Sequence, residues 1–74
     1  MAYEVDVEEL ETRFTYHAPK ADQPARYVQL RDNARMLAEL IQMLTPKSRE
    51  QSLALTSLEE AVMWANAAIA RREA

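Results

Sequence analysis

The chain has 74 residues, a net charge of −3, one histidine, and neither cysteine nor glycine. That composition excludes disulfides, cysteine-ligated or histidine-rich metal sites, Gly-rich phosphate loops and Gly-dependent hairpins. A single domain of this length buries only roughly 60% of its unfolded surface, so an uncrosslinked chain this small needs assembly to be secure.

The opening residues Met1-Ala2-Tyr3-Glu4 offer no basic region and no apolar run, so no signal peptide is expected. No stretch approaches the roughly 18 apolar residues of a membrane span. The lack of cysteine fits a reducing compartment, and the expected location is cytoplasmic. Residues 1–74 read as one domain without repeats or linkers, with helices expected over about 6–14, 24–44 and 48–72.

The first helix starts at Asp6, an N-cap with Glu9 three residues on, and Val7, Leu10 and Phe14 share one face. At about two turns it cannot persist alone and must dock on something. Thr15 to Gln23 reads as a loop, because Pro19 forces Ala18 out of the helical region. Asp22 is the expected cap of the second helix, with Pro24 in its first turn, where a missing N–H is harmless.

In the second helix Leu30, Ala34, Leu37, Ile41 and Leu44 recur at four-three-four-three, a coiled-coil-like seam with Tyr27 one turn earlier. Thr45-Pro46 ends it. Ser48 caps the third helix, with Gln51 at the reciprocal capping-box position. The short connection folds these two helices into an antiparallel hairpin about 30 Å long.

Along the third helix Leu55, Leu58, Val62, Ala65 and Ile69 form one buried stripe. Ala54, Ala61 and Ala68 make a second line of small residues, and Met63 and Trp64 widen the apolar surface. A helix with that much apolar circumference needs more neighbours than one small chain supplies. The expected fold is therefore all-α: a short N-terminal helix, then a long antiparallel hairpin that assembles into a homo-oligomer through Trp64, Met63 and the alanine line.

Charge is segregated. Residues 1–11 carry five acids and no base, 12–49 carry seven bases against three acids, and the remainder four acids against two bases. Arginine outnumbers lysine seven to two, which suits planar, bidentate recognition of phosphate. An acidic whole argues against a nucleic-acid polymer as partner. It leaves room for a small anion gripped by a few arginines.

Catalysis finds little support. Glu59 and Glu60 project about 100° apart on a helix, and their plain reading is a solvated or interface-rim pair. The hydroxyls of Ser48, Ser52, Thr56 and Ser57 have no nearby base, so no enzyme activity, cofactor or metal is expected. Binding is better supported. Phe14, Tyr16, His17 and Tyr27 lie within fourteen residues of a chain with five Phe, Tyr and Trp in all. Lys20 and Arg26 share that window, and Arg31 follows one turn beyond. Rings that stack on a base, interleaved with guanidiniums that grip phosphate, are what a nucleotide requires. The plainer readings are that Phe14 and Tyr27 are core, that His17 is bonded within its loop, and that Arg35 pairs with Glu39. Asn66, an amide among alanines on a packed helix, must bond a neighbouring chain or a ligand.

The segments Phe14-Thr15-Tyr16-His17-Ala18-Pro19, Arg26-Tyr27, Arg31, Ser48-Arg49-Glu50, Ser52-Leu53-Ala54-Leu55-Thr56 and Leu58 through Arg71 carry a resemblance that covers about residues 10–72. They resemble the helical-hairpin sponge proteins of bacteriophages, namely the anti-CBASS cyclic-nucleotide sponges and the related hairpin domain of anti-Thoeris sponges. The resemblance implies a protein that sequesters immune second messengers in the infected bacterial cell without cleaving them. It also implies hexamers with dinucleotide pockets between paired subunits, and in some members separate trinucleotide pockets. Implied ligands are cyclic dinucleotides such as 3′,3′-cyclic GMP–AMP, cyclic trinucleotides and cyclic ADP-ribose variants. By position, Tyr16 is similar to the family's base-stacking tyrosine and Arg31 to its phosphate-contacting base. Arg71 resembles a terminal-helix arginine used in ligand recognition, with Asn66 a looser match. The alternative class is a non-catalytic helical oligomerisation or regulatory module that binds a protein partner through its apolar face.

Overall fold

A computed structural model describes residues 4–73 of the chain. Residues 1–3 and 74 lie outside the described residues, so the ends of the single-domain reading, and most of the segment read for a leader, lie outside as well. Three helices follow in order: α1 over Val7–Phe14, α2 over Gln23–Leu44 and α3 over Arg49–Arg72. There is no strand among the described residues. The fold is all-α, and α2 and α3, joined by a four-residue connection, form the hairpin. No helix among the described residues is long and apolar enough to cross a membrane.

Local chemistry sets the helix ends. The Glu9 amide donates to Asp6 Oδ1 at 3.0 Å, and the Gln51 amide donates to Ser48 Oγ at 3.1 Å, so both first-turn caps form. Asp22 does not cap α2 as expected; its carboxylate lies 3.2 Å from Arg26 Nε one turn on. An N-cap needs an extended backbone to aim its oxygen at the helix, whereas Asp22 sits at ψ 5° after Ala21, whose φ is 52°. The reciprocal half of the capping box is also replaced. Gln51 turns its side chain away from Ser48 and donates from Nε2 to the Thr45 carbonyl and Oγ1, both at 3.1 Å. That contact staples the end of α2 to the start of α3.

The hairpin seam differs from the heptad expectation in one respect. The half-buried residues of α2 are Arg26, Tyr27, Leu30, Ala34, Ala38 and Ile41, and the apolar ones from Leu30 on face the half-buried Leu55, Leu58, Val62, Ala65 and Ile69 of α3. Leu37 and Leu44, expected in that seam, are 47% and 77% exposed. Ala34 and Ala38 lie one turn apart, and two alanines let the larger α3 stripe approach where leucine would hold it off. The displaced Leu37 and Leu44 join Met36, Leu40 and Met43 in an uncovered stripe on the outside of α2.

No hydrophobic side chain is fully buried among the described residues. The chain is a flat plate of 51 × 39 × 13 Å, with a radius of gyration of 16.8 Å, where a compact domain of its length has about 11 Å. Its surface of 6395 Å² exceeds the roughly 4,700 Å² of a compact monomer of 8.5 kDa. The helices are well formed; the core that normally holds such helices together is missing from one copy.

Candidate functional site

Two ion-pair clasps close one end of the hairpin. The first is centred on Gln23, which at 4% exposure is the buried residue of the described chain. Gln23 accepts from the Lys20 amide at 3.1 Å and donates to the Ile69 carbonyl at 3.4 Å and to Glu73 Oε1 at 3.3 Å. Arg26 joins it with a forked contact on Glu73, Nη1 to Oε2 at 2.8 Å with Nη2 on Oε1. This bidentate guanidinium, with help from Gln23, holds the Glu73 carboxyl down at about 2. The Arg26 guanidinium is pushed up by the same bond.

The second clasp holds α1. Arg72 donates to both Glu9 oxygens, at 3.0 and 2.6 Å, and Arg13 Nε donates to Glu9 Oε1 at 2.8 Å. Glu9 is drawn down to about 2, first by Arg72 and then by Arg13. The first helix therefore docks through its polar face. Val7, Leu10 and Phe14 point to solvent, the reverse of an amphipathic helix packed on its own chain.

Each sequence-predicted residue has a defined place within this frame. Phe14 and Tyr16 stand 82% and 83% exposed at the tip of α1 and in the following loop, so the core reading of Phe14 does not hold within one chain. His17 Nε2 lies 2.8 Å from the Thr12 carbonyl, and the loop-bonded reading describes it. Arg26 commits Nη1 and Nη2 to Glu73, while its Nε lies 3.2 Å from Asp22 without a hydrogen bond, so a ligand would have to displace a carboxylate to reach the fork. Arg31 makes no ion pair among the described residues and lies on a groove of about 420 Å³ between α2 and α3, with Arg35, Glu59 and Met63. Its floor is Ala34, Ala38, Leu55, Leu58 and Val62.

Arg71 lies on a second groove, of about 310 Å³, between α1 and α3 with Arg13, Arg72, Trp64, Ala67 and Ala68. Trp64 is exposed there, its Nε1 donating to Glu60 Oε1 at 3.2 Å. Asn66 stays half-buried on α3 one turn beyond Val62, and its Oδ1 is shut from solvent without a hydrogen-bond partner. Buried acceptors are normally paired, so Asn66 carries an unmet hydrogen-bonding demand within this chain. The structure thus gives Arg31 and Arg71 separate grooves, while Tyr16 lines neither of these two. Among the described residues no group of acids and histidine is placed to hold a metal ion.

Sequence reasoning missed Gln23, Glu73 and the Glu9–Arg72 pair. Their partners lie 46 to 63 positions away, and no periodicity links residues across the chain in that way. A last-turn arginine suits the helix dipole without any partner, so the position of Arg72 gave no hint of Glu9.

Taken together, these features describe a small all-α hairpin with arginine-rimmed grooves and uncovered apolar faces. Residues 6–70 match the family described as the Acb2/Tad1 hairpin domain. The chain belongs to that family, the anti-CBASS and anti-Thoeris sponge hairpin that its sequence resembles. No curated protein and no solved structure gives a significant match.

Proposed function

We propose that the protein is a non-catalytic sponge that binds and sequesters cyclic oligonucleotide second messengers of bacterial immunity, thereby blocking CBASS or Thoeris signalling. Family membership over residues 6–70 carries this reading. The free Arg31 on an apolar-floored groove and the exposed Tyr16 support it. Favoured ligands are cyclic dinucleotides such as 3′,3′-cyclic GMP–AMP, with cyclic trinucleotides and cyclic ADP-ribose variants as further candidates.

The working unit in this reading is a homo-oligomer, a hexamer by resemblance, in the cytoplasm of the infected cell. A surface far larger than a compact monomer's supports assembly. A cyclic dinucleotide has two bases and two phosphates, and a pocket on a two-fold axis presents each protein contact twice. Tyr16 of one protomer would stack on a base while Arg31 of another meets phosphate. Phe14, His17, Arg26, Asn66 and Arg71 are the further ligand candidates.

Each stacked base is worth roughly 1–3 kcal/mol. A nanomolar dissociation constant needs about −12 kcal/mol net, so two stacked bases supply part of it and charge-assisted phosphate contacts and apolar burial must supply the rest and offset the association cost. The test is to mix the protein with 3′,3′-cyclic GMP–AMP, denature it and analyse the released nucleotide. Intact ligand recovered in stoichiometric amount is expected, and linearised product would mean an enzyme. Tyr16→Ala and Arg31→Ala should each weaken binding while the assembly persists. Calorimetry without heat across cyclic di- and trinucleotides and cyclic ADP-ribose isomers would favour the alternative, a helical module whose exposed α2 stripe binds a protein.

A further inference from the structure

The groove between α2 and α3 carries an acid that phosphate binding alone would not want. Glu59 stands on its α3 wall, and Arg31 and Arg35 stand on its α2 wall. Arg35 is engaged with Glu39 at 3.4 Å. Arg31 and Glu59 form no ion pair with each other or with any other group among the described residues. Two opposite charges face one groove and are left unmatched, with the small apolar Ala34 and Ala38 beneath them. A free carboxylate repels a nearby phosphate, so its presence is useful only if the ligand also brings hydrogen-bond donors.

We propose that Glu59 reads the base of the bound nucleotide and selects guanine over adenine. This rests on the nucleotide-binding reading above. Guanine presents N1–H and the N2 amino group side by side, two parallel donors that a carboxylate accepts bidentately, much as it accepts a guanidinium. Adenine presents a single amino donor beside the N1 lone pair, which faces the carboxylate with like polarity. The groove's volume of about 420 Å³ lies within the range of roughly 300–1,000 Å³ common to small-ligand sites. Arg31 on the opposite wall is left for the phosphate, so one groove divides its two charges between the two ends of one nucleotide. Hydrogen bonds to a charged acceptor discriminate strongly, and the expected preference for guanine is on the order of tenfold or more.

Cyclic di-GMP and cyclic di-AMP share a backbone and differ only in their bases, so calorimetry with the two isolates base reading. The wild type is expected to bind cyclic di-GMP at least about tenfold more tightly. Glu59→Gln, which breaks no contact of the fold and should leave helicity and sedimentation unchanged, is expected to weaken cyclic di-GMP and spare cyclic di-AMP. The ratio should then fall to within about threefold. Equal affinities in the wild type, an unchanged ratio in Glu59→Gln, or an equal loss of both ligands each overturns the assignment while leaving nucleotide binding in place. Absence of heat with either ligand would overturn the Glu59 assignment, and the nucleotide-binding reading falls with it only if cyclic trinucleotides and cyclic ADP-ribose isomers give no heat as well.

Discussion

Replacing Leu40 by Gln separates a chain that assembles from one that stands alone. Leu40 is 48% exposed on the outer stripe of α2, between Leu37 and Leu44. Fully burying a leucine contributes roughly 1.5–3 kcal/mol, so covering the remaining half contributes about 1 kcal/mol per protomer. In a two-fold interface the residue occurs twice, and the substitution then costs about 2 kcal/mol, close to a thirtyfold rise in the dissociation constant. On a solitary hairpin the same exchange stays within about 0.5 kcal/mol, because glutamine is a good helix former and the site is already wet. Sedimentation velocity over a dilution series reads the difference directly. The variant should shift to smaller species at concentrations where the wild type remains assembled. A wild type that sediments at 8.5 kDa throughout the series, or a variant that follows the wild-type curve, refutes the reasoning.

Acid should undo both clasps. Glu9 and Glu73 are each held at about 2, below the ordinary carboxylate value of 4.5. Their folded-state values are depressed, so the stability they contribute is complete above about pH 4.5 and is lost as pH falls toward 2. Carboxyl chemical shifts followed by NMR would show this; a Glu9 that titrates at its ordinary value would mean the Arg72 fork does not persist in solution. Arg72→Ala should return Glu9 toward that value and release α1, seen as faster amide exchange over 7–14 with the hairpin unaffected. Ser48→Ala removes the cap of α3 and should cost about 1 kcal/mol in denaturant unfolding, with no change in sedimentation; a loss near zero would mean the Gln51 staple alone fixes that end.

Local signals made much of the fold legible. Asp6 and Ser48 announce helix starts that form as capped, and the α3 stripe from Leu55 to Ile69 is the face that packs. The heptad spacing of α2 misled at Leu37 and Leu44 because period alone does not weigh side-chain size. Ala38 lies next to Leu37 on the helix surface, and close approach to α3 favours the smaller residue. Asp22 failed as a cap for a backbone reason, the turn at Ala21, which no side-chain pattern reveals. The site was legible only in part. The family resemblance singles out Arg31 and Arg71, and both line grooves. Arg26 has a visible partner in Asp22 one turn earlier, but nothing in the sequence points to Glu73, 47 positions away, which occupies its fork.

The chain reverses the usual arrangement of a small domain. Its own tertiary contacts at the α1 end are polar, through Glu9, Arg72, Arg26, Glu73 and Gln23, and its apolar faces point outward on α1, α2 and α3. Directional polar clasps fix the relative placement of helices without a core, which leaves the apolar faces free to meet neighbouring copies. If those copies also enclose the ligand, binding and assembly become one equilibrium. A nucleotide held between protomers stabilises the assembled state by RT ln(1 + [L]/Kd), about 2.7 kcal/mol at a hundredfold excess over Kd. Added ligand should therefore reverse the dissociation caused by Leu40→Gln, and it should fail to do so when Arg31→Ala is combined with it. A ligand that binds within a single protomer would leave the sedimentation of Leu40→Gln unchanged, and the coupling of pocket to interface would then be wrong.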